Sequence, residues 1–242
     1  MSSNDLSTSD GVFSIIHDIA DQKENLTLTS TFRGLNLNHK AKIFKIQKEN
    51  IYLKIDDYRI FSFPVDQVIL HHRSFSKPVH ARYQNSCWIN EGVLILTKLE
   101  YKETDWIART QDRVQPRTPT YINFQYRRKL FRGDLENIAV SGLGMIVDRF
   151  FEKEIDLAIS KKILLNFTLP PNYELGDLPG TIINLRPVSK NLMRMGIHIF
   201  PKAYETSCLK AYVSQRKTEI LDELDQVSVE NYEREDVFGL YF

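Results

Sequence analysis

Four residues in the middle of the chain have the side chains and spacing to grip an anion. Arg113 and Arg117 stand four apart in "DRVQPRTP", and Asn137 and Gly142 follow in "NIAVSGL", beginning twenty residues after Arg117. A guanidinium group carries five N–H donors in a fixed fork, which suits bidentate contact with phosphate and with the O6/N7 edge of guanine. Pro116 and Pro119 bias Gln115 and Thr118 toward extended backbone and remove donors, so no helix is expected there. Two arginines on an extended arm can reach round a ligand instead of projecting in parallel from one helix face. The Asn137 amide can donate and accept, and Gly142 can take a positive φ and let a ligand approach the backbone. An arm and a turn of this kind suit a nucleotide.

Two other arginine pairs share the spacing. Arg128/Arg132 ends five residues before Asn137, too close for an intervening strand, and reads as a solvated strand face. Arg109/Arg113 lies nearer Trp106 and lacks the proline, which ranks it second. Without the arginines, Asn137 and Gly142 would be ordinary turn chemistry. Trp88 and Trp106 read as core residues, not as platforms for a stacked ligand.

The elements that must position these residues follow from texture. The chain has 242 residues, 42% hydrophobic and 26% charged, a balance that supports a packed core and excludes disorder as the default. From about Leu26, short runs such as "AKIFKIQ", "NIYLKID", "YRIFSFP", "GVLILTKLEY" and "DWIART" alternate between turn residues, the signal of half-buried strands. In "AKIFKIQ" the pattern breaks at Ile43 and Phe44, where a bulge is expected. After a proline-bearing linker, strands resume with "TYINFQY", where Ile122, Phe124 and Tyr126 share one face. "KLFRGDLENIAV", "LGMIVD", "KKILLNFTLP", "GTIINLRPV" and "MRMGIHIF" follow. "VFSIIHDIADQ" is a short amphipathic helix with Phe13, Ile16 and Ile19. "AYETSCLKAYVSQRKTEILDEL" closes the series with Cys208, Ala211, Tyr212, Ile220, Leu221 and Leu224 near one stripe. The fold expected is mainly β, two small antiparallel barrels and a C-terminal helix.

Bulk charge names no partner, with 32 Lys and Arg against 31 Asp and Glu, but its distribution does more. Lys102 to Arg132 holds eight basic and three acidic residues, and Glu219 to Asp236 holds eight acidic residues against Arg234. A basic middle fits an anion site, and an acidic end fits a solvated or partner-facing segment. Cys87 and Cys208 lie far apart and fit no metal spacing, which reads as a reduced cytoplasmic setting. The polar start lacks the plan of a secretory signal, and no run approaches the apolar length of a membrane helix. There is no Walker-type loop, no Gly-x-Ser-x-Gly elbow and no His-Glu-x-x-His, so neither catalytic residues nor a metal site are expected.

Arg113-x-x-x-Arg117, a strand, and Asn137-x-Ala139-x-x-Gly142 together resemble the PilZ domain, a bacterial receptor for cyclic di-GMP. That family's pattern is Arg-x-x-x-Arg followed by Asp/Asn-x-Ser-x-x-Gly. The "GTIINLRPV…RMGIHIF" hairpin and the closing helix add to the likeness, and the strands before the linker resemble the N-terminal β-domain of the flagellar-brake type. The resemblance implies residues 1–24 as a tail with a short helix, 25–108 as the N-terminal β-domain, 109–225 as the PilZ domain and 226–242 as an acidic, then apolar tail.

It implies a non-catalytic effector holding cyclic di-GMP, as a stacked pair of molecules, through Arg113, Arg117, Asn137, Ala139, Gly142, Arg109 and Ser141. Binding would change the angle between the domains and regulate a motility, pilus, secretion or exopolysaccharide apparatus, through a protein partner and without nucleic acid. Ala139 stands where the family has Ser, at a cost of about 0.5 to 1.5 kcal/mol for one hydrogen bond, and Ser141 is a substitute donor. Two alternatives stand beside this reading: a PilZ-like interaction module that binds no nucleotide, and a nucleic-acid-binding barrel using the basic middle segment. A homodimer is left open by the sequence.

Overall fold

A computed structural model describes residues 9–61, 67–84, 92–101, 111–149 and 158–238. Arg109, Trp88, Trp106, Cys87, the "DWIART" strand, the first eight residues and residues 239–242 of "FGLYF" lie outside the described residues. The protein is mainly β, with two closed six-stranded antiparallel barrels. One compact unit comprises Met1–Phe32, Asn36–Thr110 and Leu221–Phe242, and the other Arg33–Leu35 and Gln111–Ile220. No described helix is long and apolar enough to cross a membrane.

In the first unit, β1 (Asn25–Phe32), β2 (Leu35–Gln47), β3 (Asn50–Ile55), β4 (Gln67–His71), β5 (Val79–Tyr83) and β6 (Val93–Tyr101) close in the order β1-β2-β3-β6-β5-β4. Period-two alternation sends Leu35, Leu37, His39 and Ala41 of β2 inward and leaves Asn38, Lys40 and Lys42 outside. The bulge in β2 falls where the pattern breaks, between Ile43 and Lys45. Helix α1 (Ser9–Asp21) turns Val12, Ile16 and Ile19 onto the barrel. It packs against β6, whose Val93, Leu94, Ile95 and Leu96 are consequently buried on both faces. The expected strand "YRIFSFP", of which residues 62–64 lie outside the described residues, is corrected in its described part, where Tyr58–Phe61 form a 3-10 turn. Asp57 nucleates it by accepting a hydrogen bond from the Arg59 N–H at 3.1 Å, a local side-chain bond that competes with extended pairing.

A polar relay braces this barrel from inside. His39 Nε2 lies 3.2 Å from Ser30 Oγ, and His39 Nδ1 lies 3.0 Å from Asp57 Oδ2. The composition matches a hydrolytic triad, but Ser30 is 1% exposed and His39 2%, so no substrate carbonyl reaches the hydroxyl. The relay instead satisfies buried polar groups that would otherwise be costly. The hydrogen bond from His39 holds the Asp57 carboxyl below its ordinary pKa, against the opposing effect of burial.

The second unit contains β7 (Tyr121–Tyr126), β8 (Lys129–Ile138), β9 (Gly142–Asp148), β10 (Lys162–Leu169), β11 (Tyr173–Pro187) and β12 (Leu192–Ile199), closed in the order β10-β11-β12-β9-β8-β7. Ile122, Phe124 and Tyr126 point inward as the alternation requires, and Phe124 stacks on Phe131 of β8 at 5.3 Å. Helix α2 (Ala203–Phe238) begins with the Glu205 carboxylate accepting the Lys202 N–H at 2.6 Å, half of a capping box. Cys208, Leu209, Tyr212, Val213, Arg216, Ile220 and Leu224 are its buried stripe, whereas Ala211, expected there, is exposed. The helix also runs past the expected end near Leu224, since no glycine or proline interrupts it before Gly239.

Candidate functional site

The arginine arm is extended, as its prolines require, and its backbone is tied down. An isolated antiparallel bridge joins Val114 to Ile138, with both N–H···O bonds at 2.9 Å. In that register Arg113 stands opposite Ala139 and Gln115 opposite Asn137, so the arm runs alongside the β8–β9 turn. Val114 and Ile138 are both fully buried and form the apolar side of the clip.

Four further ties reinforce it. Gln111 Oε1 accepts from the Ser141 N–H at 3.1 Å and from its hydroxyl at 2.8 Å. The Gln115 N–H donates to the Arg33 carbonyl at 2.8 Å, over Gly34, whose φ of +83° only glycine adopts without strain. Arg216 Nε of α2 donates to the Gln115 carbonyl at 2.9 Å, and Lys217 Nζ to Asp112 Oδ2 at 2.8 Å.

The two arginine side chains on this fixed arm are uncompensated among the described residues. Arg113 is partly buried, and burial pushes its pKa down. Neither Arg113 nor Arg117 has an ion-pair partner among the described residues. A cation withdrawn from water without a carboxylate is unfavourable in the free protein and favourable once an anion arrives. Across the bridge, Asn137 Oδ1 is buried with no hydrogen-bond partner among the described residues, while Asn137 Nδ2 leans on Glu136 Oε2 at 3.4 Å. Glu136 in turn is paired with Arg194 of β12.

The turn departs from the sequence reading in two ways. Gly142 does not adopt a positive φ: it opens β9, and a side chain there would crowd the Ile197 carbonyl, 3.0 Å from where a Cβ would stand. Ser141 offers no free hydroxyl, because Gln111 already takes it. Ala139 is 3% exposed, and its N–H closes the turn onto the Gly142 carbonyl at 2.8 Å. The structure thus brings Arg113, Asn137, Ala139, Ser141 and Gly142 together along one bridge, with exposed Arg117 further along the arm.

Gln111, Arg216 and Arg33 are site-building residues that sequence reasoning missed. Their roles are backbone bonds between distant segments, which leave no local pattern. The conspicuous "RRKLFR" is elsewhere: Arg127 and Arg128 form the β7–β8 turn, both with positive φ, beside a groove of about 560 Å³ lined by Lys162, Leu164 and Phe200. Arg132 lies over the Tyr121 ring at 3.5 Å. Among the described residues, no group of three or more His, Cys, Asp and Glu is placed to hold a metal.

No protein-family model matches the sequence, and no curated protein is similar to it. Solved structures are similar in fold. YcgR of Escherichia coli in complex with c-di-GMP aligns over 94% of this chain and 100% of its own, at 12% identity and a TM-score of 0.46. MrkH of K. pneumonia, also as a c-di-GMP complex, aligns over 90% and 97%, at 10% identity and a TM-score of 0.49. The PilZ domain of the Escherichia coli YcgR with c-di-GMP aligns over 49% of this chain and 98% of its own, at 11% identity and a TM-score of 0.41. The chemistry of the site is read from this chain's own residues.

Proposed function

We propose that this protein is a non-catalytic cyclic di-GMP receptor whose ligand is gripped between the Arg113/Arg117 arm and the Asn137–Gly142 turn. The observation that carries the reading is the Val114–Ile138 bridge. It supports a clamp in which a partly buried, uncompensated guanidinium stands beside a turn with an unpartnered amide oxygen. Cyclic di-GMP supplies what both lack: phosphates for the arginines, guanine O6/N7 edges for a second fork, and ring N–H donors for Asn137 Oδ1. Fastening the arm's backbone in advance reduces the ordering cost of binding. Occupancy reorders the arm and with it the angle between the two barrels, and this is the signal passed to a motility, pilus or exopolysaccharide apparatus.

Isothermal titration with cyclic di-GMP is the test. Heat at micromolar ligand is expected, and Asn137→Ala should weaken binding about two- to tenfold, the worth of one hydrogen bond. Silence at high micromolar ligand removes the proposal. The buried Ala139 in place of a serine favours one competing reading, a PilZ-like module that binds a protein partner without nucleotide. In that case Arg117→Ala leaves the cellular phenotype unchanged.

A further inference from the structure

The first barrel carries surface charge that its own fold does not use. Facing outward are Lys40, Lys42, Phe44 and Lys45 on β2, and Tyr52 and Lys54 on β3. Lys42 pairs directly with Lys54 across the two strands, and Lys45 with Tyr52. Directly opposed residues hold their Cβ atoms about 4.5 to 5.5 Å apart, and like charges there destabilise the sheet. From Leu35 to Ile55 five lysines face one acidic residue, Glu49. Neither Lys42 nor Lys54 has an acidic partner among the described residues. A repulsive pair at the centre of a strand register is what a surface keeps for an external anion.

An aromatic site sits inside this field. The bulge between Ile43 and Lys45 turns an extra side chain outward, and Phe44 is 50% exposed. Its ring stands edge-on to Tyr52 at 6.0 Å and 74°, and Lys45 Nζ covers the Tyr52 ring at 5.0 Å. Lysines stepping along a strand at about 6.6 Å per two residues, beside an open ring, form a track and a stacking platform. Bilayer insertion fits less well, because the projecting β2–β3 turn carries Lys48 and Glu49, and the open ring lies back in the sheet.

We propose that this β2–β3 face binds single-stranded nucleic acid, with Lys42, Lys45 and Lys54 on phosphates and Phe44 stacking against a base. This proposal differs from the expectation of a protein without a nucleic-acid partner, and it is independent of the arginine clamp.

Fluorescence anisotropy of the full chain with a labelled mixed-sequence RNA of 20 nucleotides, and with oligo-dT of equal length, tests it between 50 and 200 mM salt. Three phosphate contacts predict a slope of log K against log salt of about −2. Phe44→Ala should weaken binding about five- to a hundredfold. Lys54→Glu should flatten the slope by at least about 0.7 and weaken binding about tenfold, yet raise the melting temperature by relieving Lys42. Lys190→Glu, the same charge change in the second barrel, should shift affinity less than about threefold. No binding at 50 mM salt overturns the proposal, as does equal weakening by Lys54→Glu and Lys190→Glu, or full affinity in Phe44→Ala. Sedimentation with phosphatidylglycerol vesicles but silence toward both oligonucleotides also overturns it and assigns the face to a membrane.

Discussion

The two ends of strand β8 carry arginines in the same i, i+4 spacing and use them differently. At its start, Arg128 and Arg132 belong to a run of basic residues. Arg128 forms a tight turn, and Arg132 rests over the face of Tyr121. Beside its end, Arg113 and Arg117 sit on a strand-poor arm whose backbone is bonded to β8, to α2 and to the Arg33 carbonyl, while their side chains have no such companion among the described residues. Charge density marks the first end in the sequence. What distinguishes the second is that its backbone is satisfied and its side chains are not.

The sharpest way to break this comparison is to remove the arginines in turn. Arg113→Ala or Arg117→Ala should lower cyclic di-GMP affinity at least about thirtyfold, the cost of truncating one partner of a desolvated charge pair. Arg128→Ala and Arg132→Ala should stay within about twofold in the same titration. A smaller effect sharpens the account of the turn: Ala139→Ser should tighten binding about two- to tenfold by restoring one hydrogen bond. A variant that loses stability without gaining affinity would place the deficit elsewhere.

Stability should move opposite to binding. Replacing the partly buried guanidinium in Arg113→Met relieves an unpaired cation, so the ligand-free protein should melt about 2 to 4 °C higher, as for roughly 1 kcal/mol in a chain of this size. The smallest effect lies in the first barrel, where acid and not ligand is the probe. The Asp57 carboxyl titrates lower folded than unfolded, so its contribution is present above the ordinary carboxylate range and lost as pH falls through the folded value. Asp57→Asn should therefore lower stability near neutrality and flatten the further loss below about pH 4 in urea titrations, so that variant and parent converge in acid.

Much of the fold was legible because alternation is a local signal. β7, β8 and the bulge in β2 appear where residue period and its interruption put them. β1, β4 and β5 were not marked: β1 is threaded with Thr and Ser, and the other two are five-residue strands flanked by polar residues. The site divides in the same way. Arg113, Asn137 and Ala139 could be found by spacing, but the ties through Gln111 and Arg216 join residues thirty and a hundred and one positions apart, beyond any window of sequence. The lysine and phenylalanine face escaped for a related reason. It exists only when two strands are laid in register, and "KAKIFK" and "IYLK" read singly are plain amphipathic strands.

Arg216 also changes where occupancy of the clamp can be observed. Its Nε holds the carbonyl between the two arginines, so the proposed clamp predicts that tightening of the arm pulls on one turn of a long helix. Amide exchange around Ser214–Thr218 should then slow when ligand is added, giving a reporter outside the binding residues. The same bond gives selection a second handle: a substitution on the helix can retune sensitivity while every ligand-facing side chain stays as it is.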